Sequence, residues 1–375
     1  MERNDLRRHL RTIQEIHGAR IKIGARELLN FSSNDYLGLS AHPALAEAMA
    51  AAAARWGVGA TASRLICGTT AEHASLEEEL AAAKGTEAAL VFSTGMAAAT
   101  GTIPALMGKG DVIILDKLAH ACLIDGSKMS GATLRIFPHN DLEKLESHLK
   151  WARRTHSKGK VMIVTESVFS MDGDLAPLRE IIQLKDCYGG ILFLDEAHAV
   201  GVRGGGAPGL AGELGVSDRV EVQMGTLGKA LGVSGGYIAG SRMLIDFLIN
   251  RARSFIFSTA PSPMIAAACR AALRIVQSPE GESLRAQLHE NLRLLSSALQ
   301  LPIPPSAIVP FILGSEERAL NESARLQKEG FFVPAIRYPT VPRNTARLRL
   351  TVSAAHQSDQ IRQLASALSR SFAGS

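Results

Sequence analysis

Lys229 stands in GTLGKALGVSGG, residues 225–236, with small residues on both sides and a threonine hydroxyl, Thr226, three positions before it. An unbranched amine in this setting suits a lysine that must reach a bound carbonyl carbon, which is Schiff-base chemistry. To attack, the amine must spend part of its time neutral, and a pocket arranges this by partial desolvation or a neighbouring cation. The stretch is not a P-loop: Ala230 follows the lysine where a Ser or Thr would hold Mg²⁺, and the upstream glycine spacing is missing. An isolated G-K-A tripeptide is more often a surface lysine in a glycine-rich turn. The weight given to Lys229 comes from other residues.

Asp195 ends the apolar run GILFLD. A carboxylate there is either a helix cap or the partner of a buried cation. A pyridoxal phosphate ring supplies such a cation; Asp195 would keep the ring nitrogen protonated and so make the ring an electron sink. His198 would then donate to the ring's phenolate oxygen, and His120, in LAHA, would stack on the ring face; each is otherwise a plain loop histidine. Ser93, Thr94, Gly95 and Met96 run from a strand into a helix, so their backbone amides point at an anion near a helix N-terminus, or else form an ordinary turn. RGGGAPG (203–209) contains G-x-G-x-x-G, but Pro208 and the lack of a strand directly before it make it a loop and not a dinucleotide fingerprint. Near the C-terminus, AIRYPTVPRNTARLRLT holds Arg337, Thr340, Arg347 and Arg349. Alternation puts Arg347 and Arg349 on one strand face, either a solvated edge strand or a fork that binds a carboxylate.

The elements that must position these groups alternate in type. AALVFS, VIILD, LRIF, VMIVTE, GILFLD and VEVQM (220–224) are short apolar runs separated by helical or loop stretches, which predicts a mostly parallel sheet covered by helices, with GGYIAG as an antiparallel member. In such sheets ligands bind outside the carboxyl ends of the strands. STGM, LAHA, SVFSMDGD, DEAH and TLGK each follow a strand and converge on that rim. Before them come a hairpin turning at Gly24, helices from His42 to Trp56 and from Ala71 to Lys84, and between these the GVGATASRLICGTT stretch, too rich in glycine for regular structure. After them come long helices at 241–255 and 262–300, then an α+β unit with strands in VPFIL, FFVPAI and ARLRLTVS. The expected organisation is an N-terminal segment (1–40), a large cofactor-binding domain (41–265) and a small C-terminal α+β domain (266–375).

Composition sets the outer bounds. The 375 residues, 46% hydrophobic and 21% charged, describe an ordinary globular protein of about two domains. Lys plus Arg exceed Asp plus Glu by 41 to 36 with no basic block, so no nucleic-acid partner is expected. The four cysteines form no CxxC pair, which argues against zinc or a disulfide framework, and no metal is expected. The charged N-terminus lacks a signal-peptide core and no apolar run reaches membrane-spanning length; the expectation is a cytoplasmic protein with no membrane partner.

Taken together, FSSNDYLGLS, STGM, DKLAHACLIDG, SVFSMDGD, DEAHAVG, GTLGKALGVSGG, FSTAPSP and ARLRLTVSAAH resemble, in order and over nearly the whole chain, the α-oxoamine synthases. These are fold-type-I pyridoxal-phosphate enzymes that condense an amino acid with an acyl thioester. The C-terminal segment looks most like the member that joins L-alanine to a pimeloyl thioester, carried by CoA or a carrier protein; SRLICGT and GTLGKALG look equally like the member that uses glycine and acetyl-CoA. A non-catalytic relative keeping the fold as a binding module is the reading of a different class, and the intact Lys229, Asp195 and His198 set argues against it. The resemblance implies that Lys229 carries the cofactor and moves protons, that Asp195 pairs with the ring nitrogen, that His198 and Ser170 contact the ring oxygen side and that His120 stacks on the ring. It further implies that Gly95, Met96 and Thr226 bind the phosphate with Thr259 from the partner of a homodimer, and that Asn34, Arg337, Thr340 and Arg349, with Arg7, line the substrate side. Two positions depart from the pattern: DEAHAVG stands where many relatives read DDAHGTG, and Ala99 where many carry asparagine.

Overall fold

The runs AALVF, VIILD and VMIVTE bury every one of their residues, as strands covered on both faces must. The computed structural model that contains them describes residues 10–206 and 208–372, the side chains of the last two excepted. In chain order its strands are β1 (Glu15–His17), β2 (Arg20–Ile23), β3 (Arg26–Asn30), β4 (Ala88–Phe92), β5 (Val112–Asp116), β6 (Thr133–Phe137), β7 (Val161–Glu166), β8 (Ile191–Asp195), β9 (Val222–Thr226), β10 (Gly236–Gly240), β11 (Ile308–Gly314), β12 (Phe331–Phe332), β13 (Ala335–Ile336) and β14 (Ala346–Thr351). Its helices are α1 (Pro43–Trp56), α2 (Ala71–Lys84), α3 (Gly95–Leu106), α4 (Ala121–Met129), α5 (Leu142–Thr155), α6 (Leu178–Cys187), α7 (Gly209–Glu213), α8 (Arg242–Arg251), α9 (Arg253–Ile256), α10 (Pro263–Gln277), α11 (Pro279–Leu299), α12 (Glu316–Lys328) and α13 (Ser358–Phe372). The chain divides into two units: His42–Phe169 with Leu175–Glu282, and the described residues up to Ala41 with Ser170–Asp174 and those from Ser283 onward.

The first unit is built on a seven-stranded sheet of order β4-β10-β9-β8-β7-β5-β6. All neighbours are parallel except β10, which runs antiparallel to both β4 and β9, as the sequence pattern predicts for GGYIAG. One core gathers Phe92, Ile103, Leu123, Val164, Phe193, Ile238 and Leu248. Each such fully buried side chain contributes about 1.5–3 kcal/mol relative to exposure. Ala99 is completely buried in this cluster, so it is a packing position. Helix α2 begins with a capping box between Thr70 and His73 and ends at Gly85, which takes the left-handed conformation at φ 64°.

Several local expectations are corrected. Within the glycine-rich GVGATASRLICGTT, Arg64–Gly68 forms a π-type turn, held by the Arg64 guanidinium, which makes 2.9 Å hydrogen bonds to both carboxylate oxygens of Glu77. The expected single helix at 241–255 breaks at Ala252, and that at 262–300 breaks at Ser278, where Pro279 opens a new helix. The strand expected at 220–224 lies at 222–226, which makes Thr226 its last residue. Strand β1 pairs with β2 ahead of the hairpin that turns at Gly24.

The second unit carries two sheets, β1-β2-β3-β12 and β11-β14-β13. In the latter β14 is the central strand, so Arg347 and Arg349 are 4% and 7% exposed and do not lie on a solvated edge.

Candidate active site

The carboxyl ends of β4, β7, β8 and β9, with the turn after β5, surround a cavity of about 190 Å³ in the first unit. Gly95, Met96, His120, Asp195, His198, Thr226 and Lys229, all expected at a cofactor site, line it. Four further lining residues went unnamed in the sequence reading: Cys122, Glu166, Ala197 and Met224. Glu166 closes VMIVTE as Asp195 closes GILFLD, so the strand-end argument that found the one reaches the other.

At one end of the cavity Thr94 caps α3, its side chain accepting from Ala97 N–H at 3.0 Å. The cap leaves the first-turn N–H groups of Gly95 and Met96 without intrahelical acceptors, and the helix dipole adds positive potential there. Gly236 lets β10 come close to this turn: a Cβ on it would stand 2.6 Å from Gly95 N and Cα. Thr226 Oγ1 donates to Gly235 O at 2.9 Å and accepts from Gly228 N–H at 3.3 Å, which fixes the turn leading to Lys229.

At the other end, Lys229 Nζ lies 2.7 Å from Nε2 of the buried His198. Asp195 is 4% exposed and its Oδ1 accepts from Ala197 N–H at 2.8 Å. Burial pushes its carboxyl above the ordinary aspartate value, while Lys229, the Ala197 N–H and His120 pull it down. A cation placed against it would favour the ionised form. His120 caps α4 and is open to the cavity on one side; Cys122 N–H donates to its Nδ1 at 3.2 Å, which leaves the neutral ring's proton on Nε2. The protein packed around the rest of the ring lowers its pKa by desolvation, with Asp195 opposing and Lys229 adding to the fall.

These residues fit pyridoxal phosphate. Orphan N–H groups and Thr226 match the phosphate, Lys229 the carbonyl carbon, Asp195 the ring nitrogen and His120 the ring face. No group of His, Cys, Asp and Glu able to hold a metal occurs among the described residues.

The remaining expected residues are not among those that line this cavity. Thr259, exposed, forms an isolated bridge with Ser63 in the first unit. Ser170, Asn34, Arg337, Thr340 and Arg349 belong to the second unit. There Arg349 uses its fork internally, donating from Nε to Ser170 O at 2.6 Å, from one terminal nitrogen to Thr351 Oγ1 at 2.9 Å and from the other to Asn34 Oδ1 at 3.2 Å. Arg347 donates to Asp172 Oδ1 at 2.6 Å and to Met171 O at 3.2 Å. Arg337 accepts at its carbonyl from Thr340 N–H at 3.0 Å in an exposed turn. Arg7 lies outside the described residues.

Comparison with known proteins places these features in context. The profile of the family described as aminotransferase class I and II matches residues 26–368. The 8-amino-7-oxononanoate synthase of Geobacter sulfurreducens is 47% identical over 370 residues, 97% of this chain and 94% of the relative. A serine palmitoyltransferase from S. paucimobilis with a bound PLP–myriocin aldimine has a TM-score of 0.93 at 27% identity, covering 97% of this chain and 92% of that one. The 8-amino-7-oxononanoate synthase of Francisella tularensis has a TM-score of 0.78 at 28% identity, covering 92% of this chain and 98% of that one.

Proposed function

The chain belongs to the aminotransferase class I and II family, and on that premise we propose that it condenses L-alanine with a pimeloyl thioester, on CoA or a carrier protein. The products are 8-amino-7-oxononanoate, carbon dioxide and the free thiol, a step of biotin biosynthesis. Its fold is that of the fold-type-I pyridoxal-phosphate transferases, and it is an acyltransferase of the α-oxoamine synthase type. The observation that carries the reading is the convergence of Lys229, His198, Asp195, His120 and the α3 N-terminus on one cavity.

Bound pyridoxal phosphate supplies the electron sink that stabilises a carbanion at the amino acid's α-carbon. The chain's own residues do the rest. Gly95 and Met96 N–H groups and Thr226 hold the phosphate, and Asp195, ionised beside a cation, keeps the proton on the ring nitrogen. His120 covers one ring face, and His198 and Ser170 serve the ring oxygen side. Lys229 Nζ takes the α-proton and later returns one; its contact with His198 Nε2 orients the amine between these transfers. Arg349, Arg337, Asn34 and Thr340, with Arg7, hold the substrate carboxylates.

The protein acts as a cytoplasmic homodimer in which Thr259 of one copy reaches the cofactor phosphate of the other. Exposed Val58, Leu65, Ile66 and Phe257 support this reading: the segments that present them are joined by the Ser63–Thr259 bridge and by Ala260 N–H donating to Ala62 O. Among the described residues no helix is long and apolar enough to cross a membrane.

The test is product formation by cofactor-loaded protein given alanine or glycine, each with pimeloyl-CoA or acetyl-CoA. Turnover of alanine with pimeloyl-CoA alone is expected. Turnover of glycine with acetyl-CoA alone assigns the protein to the other condensation, and cofactor binding without turnover leaves a binding module.

A further inference from the structure

Asp195 and Glu196 are consecutive carboxyls, both buried, at the end of β8. Consecutive side chains at a strand end leave on opposite sides: Asp195 lines the cavity, while Glu196 meets Lys84, the last residue of α2. Lys84 is 2% exposed and donates both to Glu196 Oε2 and to the carbonyl of Pro208. The other oxygen, Oε1, accepts from Ala211 N–H at 3.0 Å. Gly209 takes the left-handed conformation at φ +84°, and a Cβ there would stand 2.7 Å from Oε1, so the backbone rests directly on the carboxylate. Pro208 and Gly209 are thereby fastened to the turn that holds Asp195 and His198.

A buried ion pair is a weak stabiliser, because desolvation offsets its Coulombic gain. Its effect on the neighbouring charge is larger. Unpaired, Glu196 would add a negative charge beside Asp195, whose register partner on β7, Glu166, is another buried carboxyl lining the cavity, and would favour the protonated aspartic acid, which cannot serve a ring cation. The buried Tyr237 hydroxyl, held well above its ordinary pKa by burial and by the same two carboxyls, carries no charge that could compensate them. From the cavity side Lys229 and His120 act on Asp195 as well.

We propose that Lys84 is a positioning residue for the cofactor site: by neutralising Glu196 and gripping the Pro208 carbonyl, it holds Asp195 as the ionised partner of the cofactor's ring nitrogen. The inference rests on the pyridoxal-phosphate reading above. It also assigns a task to the position where DEAHAVG departs from DDAHGTG, since the glutamate reaches the α2 lysine.

The experiment is a pH titration of the absorbance of the Lys229 Schiff base in protein loaded with pyridoxal phosphate, for wild type, Lys84→Met, Glu196→Gln and the double variant. An uncompensated Glu196 that protonates Asp195 leaves the ring nitrogen without its proton, which removes a cation conjugated with the imine and stabilises the protonated Schiff base; an uncompensated Lys84 holds Asp195 ionised and the ring nitrogen protonated and destabilises it. The transition is therefore expected to rise in Lys84→Met, fall in Glu196→Gln and return to the wild-type value in the double variant. Each single shift should be on the order of one pH unit, a factor of about ten in the protonation equilibrium. Should Lys84→Met fail to fold because its carboxylate is left unpaired, the fall in Glu196→Gln and its reversal in the double variant carry the test. A purely structural pair would leave the transitions coincident or move both single variants in the same direction, and either result overturns the proposal. A wild-type protein that takes up no cofactor overturns the functional reading and this inference with it.

Discussion

Lys229 Nζ lies 2.7 Å from His198 Nε2, a contact between residues 31 positions apart that ties the amine to the turn following β8. Lys229→Ala should abolish turnover. After borohydride reduction of the loaded protein, the cofactor mass should appear on the Lys229 peptide of the wild type and on no peptide of the variant. His198→Gln should keep cofactor attachment and lose about 10²- to 10⁴-fold in kcat, the range of one positioned acid–base partner.

Asp195→Asn preserves shape and the hydrogen bond from Ala197 N–H but removes the charge. We expect kcat to fall by at least about 10²-fold, or roughly 3 kcal/mol of barrier, with the Tm little changed. Normal turnover by this variant would remove Asp195 from its assigned role.

Gly236→Ala places a methyl 2.6 Å from the backbone of Gly95. The phosphate turn must then shift, at a cost of about 1–3 kcal/mol. Pyridoxal phosphate affinity measured by equilibrium titration should drop tenfold or more, and Tm should fall with it.

Arg349→Lys retains charge but not the fork that reaches Ser170, Thr351 and Asn34. The KM for the amino acid should rise about tenfold or more, while cofactor affinity, carried mainly by Lys229, Asp195 and the α3 N-terminus, changes much less.

His356 is buried, stacked on Phe31 at 4.0 Å, and pushed down by desolvation from 6.5 to about 4. Its Nδ1 accepts from Ser353 N–H and its Nε2 donates to Asn30 O. Between those two pH values the unfolded chain binds a proton that the folded chain does not. Stability therefore falls as the pH drops from 6.5 towards 4, by up to about 3 kcal/mol from this residue. His356→Phe should be less stable at neutral pH and show a shallower acid limb in Tm against pH; an unchanged limb would remove His356 as its source.

The strand runs were legible because residues buried on both faces leave a continuous apolar signature: VIILD and VMIVTE occupy the predicted positions residue for residue. The glycine-rich stretch around Arg64 was not, since its π-type turn depends on Glu77, a residue with no local signature of that task. Helix ends at Ala252 and Ser278 were missed because alanine-rich and amphipathic patterns run through the breaks.

By itself the sequence set Lys229, Asp195, His198 and His120 after the ends of apolar runs, and a resemblance of motifs gave them their expected roles; the structure brings all four to one cavity. Tertiary structure alone decided how these groups are held and charged. The central place of β14, which buries Arg347 and Arg349, the approach of Gly236 to Gly95, and the Lys84–Glu196 pair all join residues far apart in the chain. Such pairings follow from sheet order and chain closure, and local periodicity, which reports only what a residue's near neighbours bury, carries no trace of them.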